Sequence, residues 1–213
     1  MVRKWTAVIP VKRLDAAKTR LRGAVPAERH PQLALAMVRD TAAAVLSASA
    51  VAELLVVTDD PAVRAAVRDL GGRVAADPGA GLNAALRFGA DEVGGLSAYR
   101  AVLAGDLPAL RPEQLDEALD QVVARSFVPD AAGTGTVLLA VPPRASLDPL
   151  FGVRSAAAHA ASGAVRISGD WPGLRQDVDT AEDLGTVLSL GAGRHTCELL
   201  RDLGLTAECA SAA

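Results

Sequence analysis

Three short polar islands interrupt long runs of Ala, Val and Leu, and they hold most of the residues that could do chemistry. The first, residues 9–21 (IPVKRLDAAKTRL), is cationic and follows a strand-like stretch. The second, residues 105–108 (GDLP), and the third, residues 177–180 (DVDT), carry carboxylates. A cationic loop with two acidic sites is the composition that a metal-dependent nucleotide-handling site requires.

The cationic island offers side chains suited to phosphate oxygens. Lys12 and Lys18 can act as mobile point charges, and Arg20 as a bidentate fork. No glycine occurs in residues 9–21, so the pattern differs from a Walker loop or a dinucleotide fingerprint, and cations must replace much of the backbone amide cradle. The alternative is a solvated basic segment, because Lys and Arg are common in surface loops.

The acidic islands are candidate metal ligands. Asp106 directly follows a buried strand, and the next helix is predicted to begin near Pro112, too far away for Asp106 to be a simple helix cap. Asp177 and Asp179 are spaced i, i+2, which in an extended segment places both carboxylates on one face, about 7 Å apart along the chain. Hard oxygen ligands select Mg²⁺ or a similar ion. Asp179 could also be the N-cap of a helix that begins at Thr180.

Two further segments could approach an anion through backbone amides and hydroxyls, namely residues 133–136 (GTGT) and residues 152–155 (GVRS). A plain turn and an N-cap at Ser155 are the alternatives. The three histidines lie in contexts that favour surface or packing roles, and they are His30, His159 and His195.

No general base stands out among these residues, which fits one kind of nucleophile. A phosphate monoester has a second pKa of about 6 and is mostly dianionic at neutral pH. It could attack another phosphate without giving up a proton, so positioning and charge neutralisation would suffice.

Composition narrows the class of protein. The 213 residues are 50% apolar but only 3% aromatic, so we expect a core of Ala, Val and Leu in one domain spanning residues 1–213. A net charge of −3 gives no global attraction to nucleic acid or anionic membranes. With no evident signal peptide or membrane span, we expect a cytoplasmic protein in which Cys197 and Cys209 are inert thiols.

The elements that must position these groups alternate between strands and helices, at roughly 25–30 residues per unit. Strands are predicted at residues 6–11, 53–58, 73–76, 99–104, 137–141 and 165–167, and helices at 31–49, 62–70, 81–93, 112–126, 155–162 and 180–190. The alternation indicates an α/β fold with a doubly wound parallel sheet. Ligands on such sheets bind at the carboxyl ends of the strands, where the first island and Asp106 lie.

The three islands, in this order, resemble the guanylyltransferases of deazaflavin coenzyme F-420 biosynthesis, the CofC and FbiD proteins. The resemblance covers roughly residues 5–190 and includes residues 81–86 (GLNAAL) and 147–149 (LDP). It implies a three-layer αβα Rossmann-like nucleotidyltransferase fold of the glycosyltransferase-A-like type, with a mixed, mainly parallel sheet and a C-terminal helix and tail over 191–213. It also implies that the phosphate of phosphoenolpyruvate or 2-phospho-L-lactate attacks the α-phosphate of GTP and releases pyrophosphate.

The resemblance also implies roles for single residues. Those implied to hold two Mg²⁺ ions are Asp106, Asp177 and Asp179. Those implied to bind the nucleotide are Lys12, Lys18 and Arg20 at the triphosphate and Asn83 at the nucleoside, with Lys12, Lys18 and Asp106 as catalytic residues. Those implied to bind the acceptor are Thr136, Gly152 and Ser155, with Thr134 as the alternative to Thr136.

Residues 150–155 (LFGVRS) depart from the family pattern. An Arg is expected where Leu150 stands, and a Pro or similar residue near Val153, while Arg154 could compensate. The Ala-rich composition, with more Arg than Lys, is similar to that of relatives whose acceptor is phosphoenolpyruvate, so we expect that acceptor, with 2-phospho-L-lactate and 3-phosphoglycerate as alternatives.

More distant readings stay open. One is another nucleotidyl- or glycosyltransferase of the same fold, and another is a non-enzymatic α/β binding module whose acids merely cap helices. The expected partners are GTP and a small phosphorylated three-carbon acid, without nucleic acid or membrane. The sequence leaves the oligomeric state open, with a homodimer as one option.

Overall fold

The computed structural model describes residues 4–14 and 25–205, and the strands within them form one seven-stranded sheet. The strands are β1 (Trp5–Pro10), β2 (Val51–Val57), β3 (Arg73–Ala75), β4 (Tyr99–Leu103), β5 (Ser126–Pro129), β6 (Thr136–Val141) and β7 (Val165–Arg166). Their order is β3-β2-β1-β4-β6-β5-β7. Strand β6 is antiparallel to β4 and β5, and the other pairs are parallel. The mixed, mainly parallel sheet is therefore confirmed, and the wholly parallel sheet is wrong at β6.

Helices cover both faces of this sheet. They are α1 (His30–Ser47), α2 (Pro61–Asp69), α3 (Leu82–Glu92), α4 (Pro112–Asp120), α5 (Ser155–Ala161), α6 (Pro172–Arg175), α7 (Ala181–Leu190) and α8 (Arg194–Asp202). Successive β1 side chains face opposite layers. Ala7 and Ile9 belong to a core shared with α1, α2 and α4, and Val8 belongs to a core shared with α3 and α5. The result is the three-layer αβα arrangement.

Helices α7 and α8 extend the layer that contains α1. Leu33 and Met37 of α1 form a third core with Leu184 of α7 and Leu200 of α8. The acidic island at residues 177–180 immediately precedes α7, so this packing determines where the last carboxylates lie.

The predicted helix at residues 112–126 is wrong in its second half. Helix α4 ends at Asp120, and residues 126–129 form β5 between β6 and β7. All four β5 residues are buried, and the strand bonds to both neighbours, so its place in the sheet overrides the helical character of the segment. The short helix α6 was also not predicted.

Two expectations about the environment of the chain can be compared with the structure. In the described part of the chain, none of the helices combines the length and apolar character needed to cross a bilayer. Cys197 is buried and disulfide-bonded, so the expectation of a free thiol is wrong for this residue. Cys209 lies outside the described residues.

Candidate functional site

The carboxyl edge of the parallel strands carries a cavity of about 950 Å³. Because β6 runs antiparallel to β4 and β5, it begins at the edge where they end, and this brings Thr136 beside the strand ends. The predicted site residues that line the cavity are Lys12, Asp106, Thr136, Gly152, Ser155, Asp177 and Asp179, together with the alternative Thr134. The fold thus brings residues from all three islands to one place.

The first island leaves β1 along a path held by α2. The Asp60 carboxylate accepts hydrogen bonds from the N–H groups of Ala62 and Val63, capping α2, and its second oxygen accepts from the Leu14 N–H at 2.9 Å. Burial would raise the pKa of Asp60, but these N–H groups and the charge of Arg13 outweigh it, so the pKa is lowered. Lys12 is exposed and lines the cavity. Lys18 and Arg20 lie outside the described residues.

Asp106 lies on a turn held by α1. The hydroxyl of Thr41, which is fully buried, accepts a hydrogen bond from the Leu107 N–H at 3.0 Å and donates to the Met37 carbonyl oxygen at 2.9 Å. Helix α4 begins only at Pro112, so Asp106 is not its cap. The half-buried Asp106 lies instead at the cavity wall.

The third island joins the second through its backbone. The Val178 N–H donates to the Asp106 carbonyl oxygen at 3.2 Å. Val178 is fully buried, while Asp177 and Asp179 both line the cavity, as the i, i+2 spacing predicts. The Thr180 hydroxyl caps α7 in a capping box with Asp183, so the alternative that Asp179 is the N-cap is wrong.

The carboxylates at this wall repel one another. The pKa of Asp177 is raised to about 7, first by burial and then by the charges of Asp106, Asp179 and Asp130. A Mg²⁺ ion would offset this repulsion, and it prefers hard oxygen ligands such as carboxylates. The residues therefore fit such an ion by charge and chemistry. Within residues 4–14 and 25–205, no three His, Cys, Asp or Glu side chains already converge in a metal-binding arrangement.

Asp130 is a cavity residue that the sequence reasoning missed. Its carboxylate accepts hydrogen bonds from the Thr134 N–H at 2.9 Å and the Gly135 N–H at 2.7 Å, and it therefore shapes the loop that leads to Thr136. A Cβ on Gly135 would overlap this carboxylate. Asp130 directly follows β5, so predicting that strand would have identified it by the rule that found Asp106.

The two proposed acceptor segments are joined through Ala156, the residue that directly follows the second segment. The Ala156 N–H donates to the Thr134 carbonyl oxygen at 3.1 Å, and the Ser155 N–H donates to the Gly152 carbonyl oxygen at 3.1 Å. Gly152 has a φ of 135°, a conformation that favours glycine. Residues 133–136 and 152–155 therefore form one continuous wall of the cavity.

Asn83 has contacts other than the predicted one with the nucleoside. Its side-chain amide donates to the Phe151 carbonyl oxygen at 3.0 Å, and its side-chain oxygen accepts from the Phe151 N–H at 2.8 Å. Its neighbour Leu82, rather than Asn83, is among the cavity-lining residues. These two bonds attach the Asn83 side chain to the residue directly before Gly152.

Residues 150–155, which depart from the family pattern, include the part of the chain that Asn83 contacts. The Leu150 side chain is partly exposed and is not among the cavity-lining residues, whereas Arg154 is exposed and lines the cavity. Arg154 adopts a left-handed conformation, with φ 59°, immediately before α5. The cation of this segment is therefore at the cavity mouth, although the sequence lacks the expected Arg at position 150.

His159 of α5 is the other residue that the sequence reasoning underrated. It is fully buried, its Nδ1 lies 2.9 Å from the Thr136 hydroxyl oxygen, and its Nε2 accepts a hydrogen bond from the Leu150 N–H at 2.9 Å. Burial lowers its pKa to about 4, assisted by the charge of Arg125 and opposed by a hydrogen bond with the Ser155 backbone. The predicted packing role is incomplete, because Nδ1 contacts Thr136 on the wall of residues 133–136 and 152–155, and Nε2 contacts Leu150, two residues before Gly152.

Comparisons with known proteins agree with this arrangement. The family described as "Guanylyl transferase CofC like" matches residues 5–213. The phosphoenolpyruvate guanylyltransferase of Salinispora arenicola is 54% identical over 204 residues, covering 93% of this chain and 94% of the relative. The protein of the same name from Geodermatophilus obscurus is 53% identical over 207 residues, covering 93% and 95%.

Solved structures with low sequence identity share the fold. A candidate nucleotide-diphospho-sugar transferase from Desulfovibrio desulfuricans G20 has a TM-score of 0.70 at 18% identity, covering 94% of this chain and 96% of that one. A nucleotidyl transferase from Methanothermobacter thermautotroptrophicus has a TM-score of 0.57 at 22% identity, covering 86% and 95%. The predicted αβα nucleotidyltransferase fold is confirmed.

Proposed function

Because the chain belongs to the CofC-like guanylyl transferase family, we propose that it transfers GMP from GTP to the phosphate of phosphoenolpyruvate, in coenzyme F-420 biosynthesis. The products are enolpyruvyl-2-diphospho-5'-guanosine and pyrophosphate. The observation that carries the proposal is one cavity lined at once by carboxylates, by Lys12 and by the wall of residues 133–136 and 152–155. Relatives at 54% and 53% identity bear the name of this activity.

The reaction needs a nucleophile and a leaving group, and both are phosphates. An oxygen of the acceptor phosphate forms a bond to the α-phosphorus of GTP. The bond from that phosphorus to the oxygen bridging the α- and β-phosphates breaks, and its electron pair leaves with pyrophosphate. The acceptor phosphate is largely a dianion at neutral pH, so no side chain has to remove a proton from it.

The residues of this chain would hold the two phosphates in line. Lys12 lies on the exposed loop after β1, where it can meet the triphosphate as a point charge. Thr136, Gly152 and Ser155 line the same cavity, where hydroxyl and backbone N–H groups can meet the acceptor phosphate. Catalysis by such a site comes from positioning and from neutralising charge.

Two Mg²⁺ ions are part of the proposal. Asp106, Asp177 and Asp179 would hold them, because these carboxylates share one wall and burial with mutual repulsion already raises the pKa of Asp177. The ions would neutralise the negative charge of the phosphates. Lys18 and Arg20, which lie outside the described residues, would add cations to the triphosphate side.

The alternative acceptors are 2-phospho-L-lactate and 3-phosphoglycerate. Each carries a phosphate and a carboxylate on three carbons, as phosphoenolpyruvate does. Arg154 at the cavity mouth is a cation suited to the carboxylate. The names of the relatives favour phosphoenolpyruvate.

A matrix of donors and acceptors tests the proposal. Each of GTP, ATP, CTP and UTP is incubated with each of the three acids and Mg²⁺, and pyrophosphate release is measured. We expect GTP with phosphoenolpyruvate to give the highest kcat/KM. Silence with GTP across all three acids would refute the proposed reaction, and preference for another acid would correct the acceptor alone.

A further inference from the structure

Two side chains from different helices hold the backbone of two successive residues, Leu150 and Phe151, directly before the wall segment that begins at Gly152. Asn83 of α3 bonds to both the N–H and the carbonyl oxygen of Phe151. His159 of α5 accepts from the N–H of Leu150 at 2.9 Å. Gly152, the next residue, lines the cavity. The position of Gly152 is thus determined by two anchors immediately before it.

The bond to Leu150 also determines where the proton of the His159 ring resides. A backbone N–H can only donate, so Nε2 is the unprotonated nitrogen. In a neutral imidazole the other nitrogen then carries the hydrogen. Nδ1 therefore donates to the Thr136 hydroxyl oxygen, which lies 2.9 Å away.

This proton arrangement has a consequence for Thr136. Its oxygen accepts from His159, so the hydroxyl hydrogen points elsewhere. Thr136 is buried but borders the cavity, where a phosphate oxygen would be an acceptor for that hydrogen. A neutral His159 in this tautomer makes the Thr136 hydroxyl a donor toward an anion.

The ring is also fixed by its aromatic neighbours. The Phe151 ring packs edge-on against it with centroids 5.2 Å apart, and Phe127 of β5 lies with its centroid 5.7 Å away. His159 is 0% exposed, so a rotation of the ring would break its hydrogen bonds with Thr136 and Leu150 where solvent does not reach the ring. The imidazole therefore couples the start of β6 to the chain before Gly152.

We propose that His159 and Asn83 are positioning residues for the acceptor phosphate, His159 by orienting the Thr136 hydroxyl and both by holding the chain that carries Gly152. The identity of the acceptor rests on the proposed function, but the anchoring does not. Neither side chain has to touch substrate. Because they hold only residues proposed to bind the acceptor, their loss weakens binding of the acceptor and leaves binding of GTP nearly unchanged.

Two substitutions separate the two contacts of His159. In His159→Gln the side-chain amide can reach the position of Nε2 and keep a partner for Leu150, while the contact with Thr136 is lost. In His159→Asn the amide lies near the position of Nδ1 and keeps the Thr136 contact, while the Leu150 partner is lost. Asn83→Ala removes the second anchor, and His195→Gln, at a half-buried histidine on α8, is the matched control.

Steady-state kinetics provide the first test. We expect each of His159→Gln, His159→Asn and Asn83→Ala to raise the KM for the acceptor by about 5- to 10-fold. The KM for GTP should stay within about 2-fold of its wild-type value. When Thr136→Val is already present, His159→Gln should raise the KM for the acceptor little further, because the contact that it removes is already lost. His159→Asn should still raise that KM, because it removes the separate contact with Leu150. Equal increases in both KM values, or full additivity of His159→Gln with Thr136→Val, would overturn the proposal.

Amide hydrogen exchange of the substrate-free protein provides a second test that needs no turnover. The N–H groups of Leu150 and Phe151 should be protected in the wild type. Exchange should be about 10-fold faster at Leu150 in His159→Asn and at Phe151 in Asn83→Ala, and unchanged in His195→Gln. Unchanged exchange in both variants would overturn the anchoring even if the enzyme is active. An inactive wild type with normal anchoring would instead refute only the proposed function.

Discussion

The backbone N–H of Val178 donates to the carbonyl oxygen of Asp106 at 3.2 Å. This bond joins the second and third acidic islands, which are distant in sequence, and it places Asp177 and Asp179 on the same cavity wall as Asp106. Because it is a bond between backbone groups, side-chain substitutions at the aspartates leave it intact. The charge of the site can therefore be changed without changing its framework.

The first prediction concerns these charges. Asp106→Asn and Asp177→Asn keep the volume of the side chain and remove a hard anionic ligand, so we expect kcat/KM to fall by about 100-fold or more. The increase in Tm that Mg²⁺ gives with GTP should shrink in both variants. Without Mg²⁺, Asp177→Asn should be at least as stable as the wild type, because burial and neighbouring carboxylates disfavour the charged form of Asp177.

Asp69→Asn provides the control for these measurements, since Asp69 is exposed at the end of α2. Its kinetics and its Mg²⁺ response should match those of the wild type. An unchanged Mg²⁺ response in Asp106→Asn would contradict the assignment of the carboxylate wall to a metal.

The second prediction concerns the cationic loop. Lys12→Gln removes a charge that faces the cavity, and we expect the KM for GTP to rise by about 10-fold, with a weaker dependence of that KM on salt. Lys4→Gln is the matched control, because Lys4 is exposed and donates to the Ser49 carbonyl oxygen outside the cavity. Equal effects of the two substitutions on GTP would mean that Lys12 contributes only general charge.

The third prediction is a pH dependence of stability. Folded His159 stays neutral down to about pH 4, whereas an unfolded histidine takes a proton near pH 6.5. At this histidine the unfolded state therefore binds more protons between these values, so the contribution of His159 to the free energy of unfolding falls as pH drops from about 6.5 to 4, by at most about 3 kcal/mol. Because the raised pKa of Asp177 adds a change of opposite sign in both proteins, the comparison is between them: in urea unfolding at pH 7, 6 and 5, the free energy of unfolding of the wild type should fall relative to that of His159→Gln. Parallel curves would contradict the burial of a neutral imidazole.

The fourth prediction compares two glycines. A Cβ at Gly135 would overlap the Asp130 carboxylate and disturb the hydrogen bonds that shape the loop before Thr136, so Gly135→Ala should cost about 1–3 kcal/mol and raise the KM for the acceptor. Gly185→Ala lies within α7 with nothing near the added carbon, and should stabilise by about 0.5–1 kcal/mol. Thermal unfolding of both variants measures the contrast. A stabilised, fully active Gly135→Ala would refute the role of Asp130.

Local patterns in the sequence predicted most of the fold. Buried aliphatic runs ending in Gly, Asp or Pro identified β1, β2 and β4, and the i, i+2 spacing placed Asp177 and Asp179 on one face. The error at residues 112–126 arose because a four-residue strand that ends in Pro129 has too few positions to show a period of two. The direction of β6 depends on which strands it pairs with, and the resemblance to a known family, rather than periodicity, predicted a mixed sheet.

In the candidate site, too, local patterns predicted some residues and could not predict others. Asp106 could be predicted because it follows a recognisable strand, and Asp130 could not because its strand was missed. Asn83 and His159 act through bonds to Phe151, Leu150 and Thr136, which depend on the packing of α3 and α5 against the sheet. Such contacts between distant segments leave no periodic signal, so both residues were assigned other roles.

Characterisation of the reaction product tests the central claim most directly. The purified protein is incubated with GTP, phosphoenolpyruvate and Mg²⁺, and the products are identified by mass spectrometry and by ³¹P NMR. We predict one pyrophosphate for each molecule of a product that contains GMP joined to phosphoenolpyruvate through a diphosphate, with two coupled phosphorus resonances. Release of GDP or inorganic phosphate without that diphosphate, or equal use of CTP and GTP, would contradict guanylyl transfer to an acceptor phosphate.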